Sequence, residues 1–403
     1  MTSPRLGHFS FWLSLPQLIT WGSVFYTFSL LMTPLEAELG MSRAQSSLAF
    51  SLALLAEGAM AYAVGRWIDA GHERRVMALG SLWVGLGLWG HSEVRSLAGF
   101  YAAWIWLGMG MAATLYTPAF AVVTRRFPMD FRRAIITITF LGGLASTVFI
   151  PLFSWCMAQW GWRQALWLLA ALQWGVCWPL HHWLLKDAPQ PSDLSRIAPL
   201  PNTELAPPRT LQAHLRHSPF WLLALFMVLM MAVTSALPAH MIALLQESGL
   251  STLWVIAIPA AIGVIQVVGR MVLFVFERQW NVHTANRWIP SFIPMGLLAL
   301  LIGGFHPLGA VVFVVLFGLG NGMITIVKGT ALAQYVSRDH VGQLNGMLGI
   351  PIALARAAAP LGVGLLWSPA AGYQWALVAL LVASLLATGA LWVAQNQALK
   401  AGT

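Results

Sequence analysis

Apolar residues fall in long unbroken runs, and polar residues are confined to the short stretches between them. Crossing a bilayer takes roughly 20 apolar residues in a helix. Twelve runs approach or exceed that length: 9–33, 45–66, 76–91, 97–123, 134–157, 163–185, 219–245, 252–276, 288–304, 308–335, 342–366 and 373–394. The third and ninth are the shortest. Helices apolar on every side fit lipid rather than water. The pattern therefore predicts an all-α polytopic membrane protein with twelve spans. One interruption is long, polar and proline-rich: residues 186–218, with Pro189, Pro191, Pro199, Pro201, Pro207 and Pro208. It has no helical period and predicts a cytoplasmic linker between halves 1–185 and 219–403.

Composition agrees. Of 403 residues, 58% are hydrophobic and 9% charged, against about 25% charged in soluble domains. The net charge of +9 could suggest nucleic acid, but its distribution argues for topology. Of the 22 basic residues, 16 fall in loops on one side, three lie inside apolar runs, and Arg43, Arg95 and Arg163 alone fall on the other side. Basic loops face the cytoplasm, so both termini and the linker are expected there, in a bacterial inner membrane. Nucleic acid is not an expected partner; lipid is, and a monomer is expected. His8 onward runs into a full span, so no cleavable signal is expected. Cys156 and Cys177 both sit in apolar runs and read as buried and inert.

The halves look duplicated. Gly108-Met109-Gly110 matches Gly318-Leu319-Gly320 at an offset of 210. Pro151-Leu152 matches Pro360-Leu361 at 209, and Gly161-Trp162 matches Gly372-Tyr373 at 211. Nearly constant offsets predict two pseudo-symmetric six-helix bundles. Parallel repeats of this kind place a substrate site near the bilayer midplane.

Charges inside the runs carry the candidate chemistry. Arg270, Lys328 and Arg356 lie in the second half, and Glu57 lies in the first. A charge at bilayer depth costs roughly 3 kcal/mol on insertion scales, so it needs a partner or a task. Arg270 and Lys328 both fall about 10 Å to the cytoplasmic side of the midplane, and Arg356 falls near the middle. Together they suit an anion such as a carboxylate or phosphate. Arg270 could instead snorkel to the interface. Glu57 could pair with a cation, carry a proton or touch substrate. Gln17, Tyr26, Tyr116, Gln266 and Asn321 are neutral lining candidates, with interhelical hydrogen bonds as the alternative. His240 could titrate. No metal-ligand spacing, cofactor motif, nucleophile–base set or phosphate-binding loop of the Walker type is present. Neither an enzyme nor an ATP-driven pump is expected.

Gly65-Arg66-Trp67-Ile68-Asp69-Ala70-Gly71-His72-Glu73-Arg74-Arg75 resembles the loop signature of the major facilitator superfamily. It departs at Ala70, where the signature is basic, and by one extra residue before the Arg pair. The second copy is degenerate, at Gly269-Arg270 with Phe274, Glu277 and Arg278. The resemblance implies two six-helix bundles around a cavity lined by spans one, four, seven and ten, with spans two, five, eight and eleven at the seam. Glu57 and Arg356 would then face each other as a gate or a static pair. Asp69 would latch helix ends, with Arg132 or Arg133 as partner. Tyr116-Thr117-Pro118-Ala119-Phe120, Arg125-Arg126-Phe127-Pro128, Gly142-Gly143 through Pro151-Leu152 and Gly161-Trp162-Arg163 look like bacterial porters of the monocarboxylate type. Arg270 matches the carboxylate-binding Arg of that group, while Gln266 stands where the group often has an acid.

The expected function is a secondary transporter that moves a small organic anion by alternating access, coupled to protons. The alternative is an exporter of drugs, metalloid species or a metallophore, with the cations serving gates. A sensor on the same scaffold is disfavoured, because no soluble signalling domain accompanies the spans.

Overall fold

A computed structural model describes residues 4–128, 130–187, 217–276, 281–303, 306–336 and 341–401. The chain divides into two compact units, Met1–Pro201 and Asn202–Thr403. Almost all of the expected linker lies outside the described residues.

In the first unit α1 (Pro4–Thr20) passes through a π-helical turn (Trp21–Tyr26) into α2 (Thr27–Leu39). There follow α3 (Arg43–Asp69), α4 (Glu73–Ser92), α5 (Leu97–Thr114), α6 (Tyr116–Arg126), α7 (Phe131–Gly143), α8 (Ala145–Leu172), a second π turn (Gln173–Cys177) and α9 (Trp178–Leu184). The second unit holds α10 (Ser218–Glu247), α11 (Thr252–Phe276), α12 (Val282–Trp288), α13 (Phe292–Ile302), α14 (Pro307–Tyr335), α15 (Val341–Leu366) and α16 (Gln374–Ala401). The described residues form no sheet beyond one isolated bridge, Ser368 with Gly372.

Ten of these helical stretches are long and apolar enough to span a membrane. One of them, Arg133–Leu184, has 52 residues. At 1.5 Å per residue it is about twice the length of a bilayer crossing. Gly161, at φ 82° and ψ 164°, breaks it into two crossings, a backbone shape glycine adopts without a Cβ penalty. Adding α4 gives the twelve expected. Chemistry at the ends fixes the boundaries. Ser42 forms a capping box with Gln45 at the start of α3, and Gly40 at φ 63° closes α2.

The duplication reappears in the packing. A Cβ placed on Gly108 of α5 would lie 2.1 Å from the Ala53 carbonyl oxygen of α3, and one on Gly318 of α14 would lie 3.5 Å from the Ile262 carbonyl oxygen of α11. Gly110 and Gly320 sit in the same way against Val84 of α4 and Ile293 of α13. All four residues of one set map onto the other at an offset of 209 or 210. Missing side chains let these backbones approach, which is how helices associate where lipid removes the hydrophobic drive.

Two further features lock the first unit. Trp83 and Trp106 stack at 3.7 Å and 4°, and each indole N–H donates to the other's carbonyl at 2.9 Å. The two π turns are joined by Gln173, whose amide donates to Thr20 Oγ1 at 3.2 Å and Ser23 Oγ at 2.9 Å. At the end carrying the sparse basic residues, Arg43 pairs with Glu36 at 2.9 Å and Arg163 pairs with Glu38 at 2.5 Å.

Candidate functional site

In the second unit the cations are held by α11, α14 and α15. Arg270 is buried, and its Nε donates to the Gly322 carbonyl oxygen at 3.1 Å, across the tight α11–α14 seam. Gln266, one turn earlier, is also buried, and its backbone is what a Cβ on Gly322 would strike. Asn321 is half-buried on α14.

Lys328 lies further along α14, half-buried, with its ammonium 3.2 Å from the Met231 thioether of α10. Thioether sulfur is a weak acceptor, so that contact compensates little of the charge. Arg356, of like charge, lies near enough to act on the ammonium. Arg356 is half-buried on α15, and its backbone oxygen accepts from Ser235 Oγ at 3.2 Å. That oxygen would ordinarily meet the amide four residues on, but the residue there is Pro360, which has no N–H. Met231 and Ser235 are one turn apart on α10, so a single face of α10 touches both cation-bearing helices. A cleft of about 530 Å³, lined by Phe220, Ala224, Val228, Met347, Leu348 and Pro351, opens between α10 and α15 within a turn of Met231. Beyond Arg356, His240 is held at both ring nitrogens, by Tyr373 Oη at 3.0 Å and the Pro360 oxygen at 2.9 Å.

In the first unit Gln17 is fully buried, and its amide donates to the Thr114 oxygen at 2.6 Å. The same logic applies: Pro118 removes the amide that Thr114 would meet, the chain breaks at Leu115 (ψ −164°), and Gln17 takes the freed carbonyl. Tyr116 starts the new helix, with its ring 4.9 Å from Trp21 and 5.2 Å from Phe120. Tyr26 closes the π turn, half-buried, 5.4 Å from Phe25. Glu57 is half-buried on α3.

At the end carrying the basic loops of the first unit, Asp69 is exposed, and the Arg beside it is Arg125. Its guanidinium reaches Asp69 Oδ1 at 3.9 Å and donates to the Asp69 backbone oxygen. Of the partners expected from sequence, Arg133 is exposed, and the Arg132 side chain is outside the described residues. The buried carboxylate here is Glu73, which Arg126 engages directly and Arg125 approaches to 3.7 Å. Burial pushes the Glu73 carboxyl up from its ordinary value, against the pull of the two guanidiniums. Arg126 also donates to the Lys186 oxygen at 2.9 Å and covers the Phe9 ring at 5.2 Å. Glu73 stands directly before the Arg pair of the loop signature, and an acid at a helix start was its available signal.

A sequence profile of the Major Facilitator Superfamily matches residues 17–287. The chain belongs to this superfamily. It is 24% identical over 337 residues to monocarboxylate transporter 13 of Bos taurus, covering 80% of this chain and 71% of that one. Its fold is that of a bacterial homologue of the human lysosomal transporter Spinster (TM-score 0.74, 14% identity, 98% of both chains). It also matches the nucleoside transporter NupG (TM-score 0.71, 15%, 96% of this chain and 99% of that one). A bacterial homologue of the human drug peptide transporters gives a TM-score of 0.73 at 12% identity, over 97% and 99% of the chains. The superfamily member described here is thus a transmembrane transporter and not an enzyme.

Proposed function

We propose that this transporter moves a small organic anion by alternating access, in a plasma membrane with both termini in the cytoplasm. The observation that carries this reading is Lys328: a half-buried ammonium that meets a thioether and the like charge of Arg356. An anion held there by charge-assisted bonds supplies what the thioether does not. Arg270, braced by Gly322, contributes a third positive charge on the same unit. Similarity to a monocarboxylate transporter is consistent with an anionic substrate. Gln17, Tyr26, Tyr116, Gln266 and Asn321 supply neutral contacts for the substrate body, and Asp69, Arg132 and Arg133 belong to the gating loops.

Proton coupling runs through Glu57. The offset of 209 that maps Ala53 onto Ile262 also maps Glu57 onto Gln266. The same polar position is thus filled in both halves, and only the first copy carries a carboxyl group. The test is uptake into proteoliposomes of radiolabelled carboxylates under an imposed pH gradient. Arg270→Ala, Lys328→Ala and Arg356→Ala should each abolish uptake without loss of expression, and Glu57→Gln should remove the dependence on the gradient. Normal transport by all three cation variants would sink the anion site.

A further inference from the structure

The first crossing carries one lining candidate before its π turn, Gln17, and another at its end, Tyr26. In an unbroken α-helix, at about 100° per residue, the two would point in opposite directions, about 180° apart. A π turn holds one residue more than the α-helical turn it replaces, because its hydrogen bonds run from i to i+5. That residue takes up about 100°, so Gln17 and Tyr26 come to lie about 80° apart. Trp21, the first residue of the turn, falls between them, about 40° from each. The burial pattern has the same five-residue step: Trp21 and Tyr26 are half-buried, and Gly22, Ser23, Val24 and Phe25 between them are buried. The turn thus gathers Gln17, Trp21 and Tyr26 into one stripe. Its first two members meet the break between α5 and α6, Gln17 at the Thr114 oxygen and Trp21 at the Tyr116 ring.

Trp21 also holds an unused donor. The indole N–H groups of Trp83, Trp106, Trp162, Trp167 and Trp174 each donate to an oxygen of this unit. That of Trp21 has no acceptor among the described residues. An indole N–H can only donate, and a polar group left unmet inside a protein calls for a task. The turn itself is held from the second π turn, where the Gln173 amide donates to Thr20 Oγ1 and Ser23 Oγ. Thr27 Oγ1 closes it by donating to the Gly22 oxygen at 2.8 Å.

We infer that Trp21 faces the substrate and offers its indole N–H to a substrate oxygen, and that Gln173 is the positioning residue that keeps Trp21 in line with Tyr26. This rests on the reading that the first crossing lines the substrate path, and it adds a donor to that lining.

The test uses the purified full-length protein in detergent with Cys156→Ala and Cys177→Ala, which remove two buried thiols. Single cysteines are then introduced and their reaction with a water-soluble maleimide is timed. Trp21→Cys and Tyr26→Cys should react at least about tenfold faster than Val24→Cys and Trp104→Cys, since buried thiols are inert. Trp104 is 1% exposed and controls for the room left by a lost indole. Adding Gln173→Leu should slow Tyr26→Cys and speed Phe25→Cys while leaving Trp21→Cys unchanged; size-exclusion profiles show which variants are folded. An inert Tyr26→Cys sinks the lining reading and the inference together. A reactive Tyr26→Cys beside an inert Trp21→Cys overturns the inference alone. An unchanged ratio of Tyr26→Cys to Phe25→Cys removes Gln173 from its role. Trp21→Phe keeps the ring and drops the N–H, so it should melt no lower than the parent, whereas Trp83→Phe should melt lower. A fall as large as that of Trp83→Phe means that the fold itself uses the N–H, and overturns the inference. In the uptake assay with radiolabelled carboxylates, Trp21→Phe should raise KM about two- to tenfold at unchanged kcat. An unchanged KM overturns the bond to substrate.

Discussion

Gly322→Ala is the sharpest probe of how the cation site is held. The added methyl would lie 2.3 Å from the Gln266 carbonyl oxygen and 2.7 Å from its Cα, both backbone atoms that no rotamer change can move aside. To reach ordinary contact, α11 and α14 must part by about 1 Å, a gap that forfeits a quarter to a half of each contact's attraction. Overpacking of this kind costs about 1–3 kcal/mol. The same displacement stretches the 3.1 Å bond from Arg270 to Gly322 towards the limit for a hydrogen bond, and a bond to a charged group contributes about 1.5–3 kcal/mol. Together the loss is about 3–5 kcal/mol. At roughly 2–4 °C per kcal/mol for units of this size, Tm should fall on the order of 10 °C. The repeat supplies a positive control in Gly108→Ala, where the clash is tighter at 2.1 Å. Gly389→Ala is the negative control: its Cβ meets nothing within 4 Å, and replacing a helical glycine should raise stability by about 0.5–1 kcal/mol. Differential scanning fluorimetry of the three purified variants reads all of this at once. If Gly322→Ala melted within about 2 °C of Gly389→Ala, the close seam and the bracing of Arg270 would both be wrong.

Glu73→Ala should destabilise the protein by about 3–5 kcal/mol, because it takes a buried carboxylate away from the two guanidiniums packed on it; Glu73→Gln should lose less, since Arg126 keeps an acceptor, and thermal melts of both check the order. Trp83→Phe and Trp106→Phe each remove one reciprocal hydrogen bond, at about 0.5–1.5 kcal/mol apiece. Their double-mutant cycle should show a coupling of at least about 0.5 kcal/mol; additive losses would mean that the rings do not act as a pair.

Hydropathy made the twelve spans legible because a crossing must be apolar for its full length, whichever neighbours it meets. It also placed Arg270, Lys328 and Arg356 within helices, since that is a matter of position along one element. Partners are another matter, because they depend on which face of a helix meets which neighbour. Lys328 against Met231 joins residues 97 apart, and Gln17 against Thr114 joins residues likewise 97 apart. No periodicity encodes such a pairing. The Asp69 latch shows the same limit: the loop signature named the acid, and the arginine beside it proved to be Arg125, at the end of α6. The two π turns were invisible as well, since their residues are as apolar as those of ordinary helix.

Proline could have said more than it did. Pro118 and Pro360 each remove the amide that would satisfy the carbonyl four residues earlier, and an orphaned carbonyl in lipid costs several kcal/mol unless something donates to it. In both units the donor comes from the first crossing: Gln17 reaches Thr114, and Ser235 reaches Arg356. The prolines thus place two weak points in the helical ladder, one beside Tyr116 and one at Arg356 itself. At each, a side-chain hydrogen bond stands in for the backbone bond. Pro351 opens a second such point in α15, so a bend of this helix has two places to form, and bending at the one beside Arg356 moves that side chain relative to Lys328 on α14. On this argument Ser235 sets how firmly the second cation is placed. Ser235→Ala should loosen Arg356 while leaving Lys328 untouched, weakening anion uptake at a cost in stability of about 0.5–1.5 kcal/mol, that of one hydrogen bond. A loss of uptake that came with a much larger fall in stability would mean that Ser235 acts on the fold and not on Arg356.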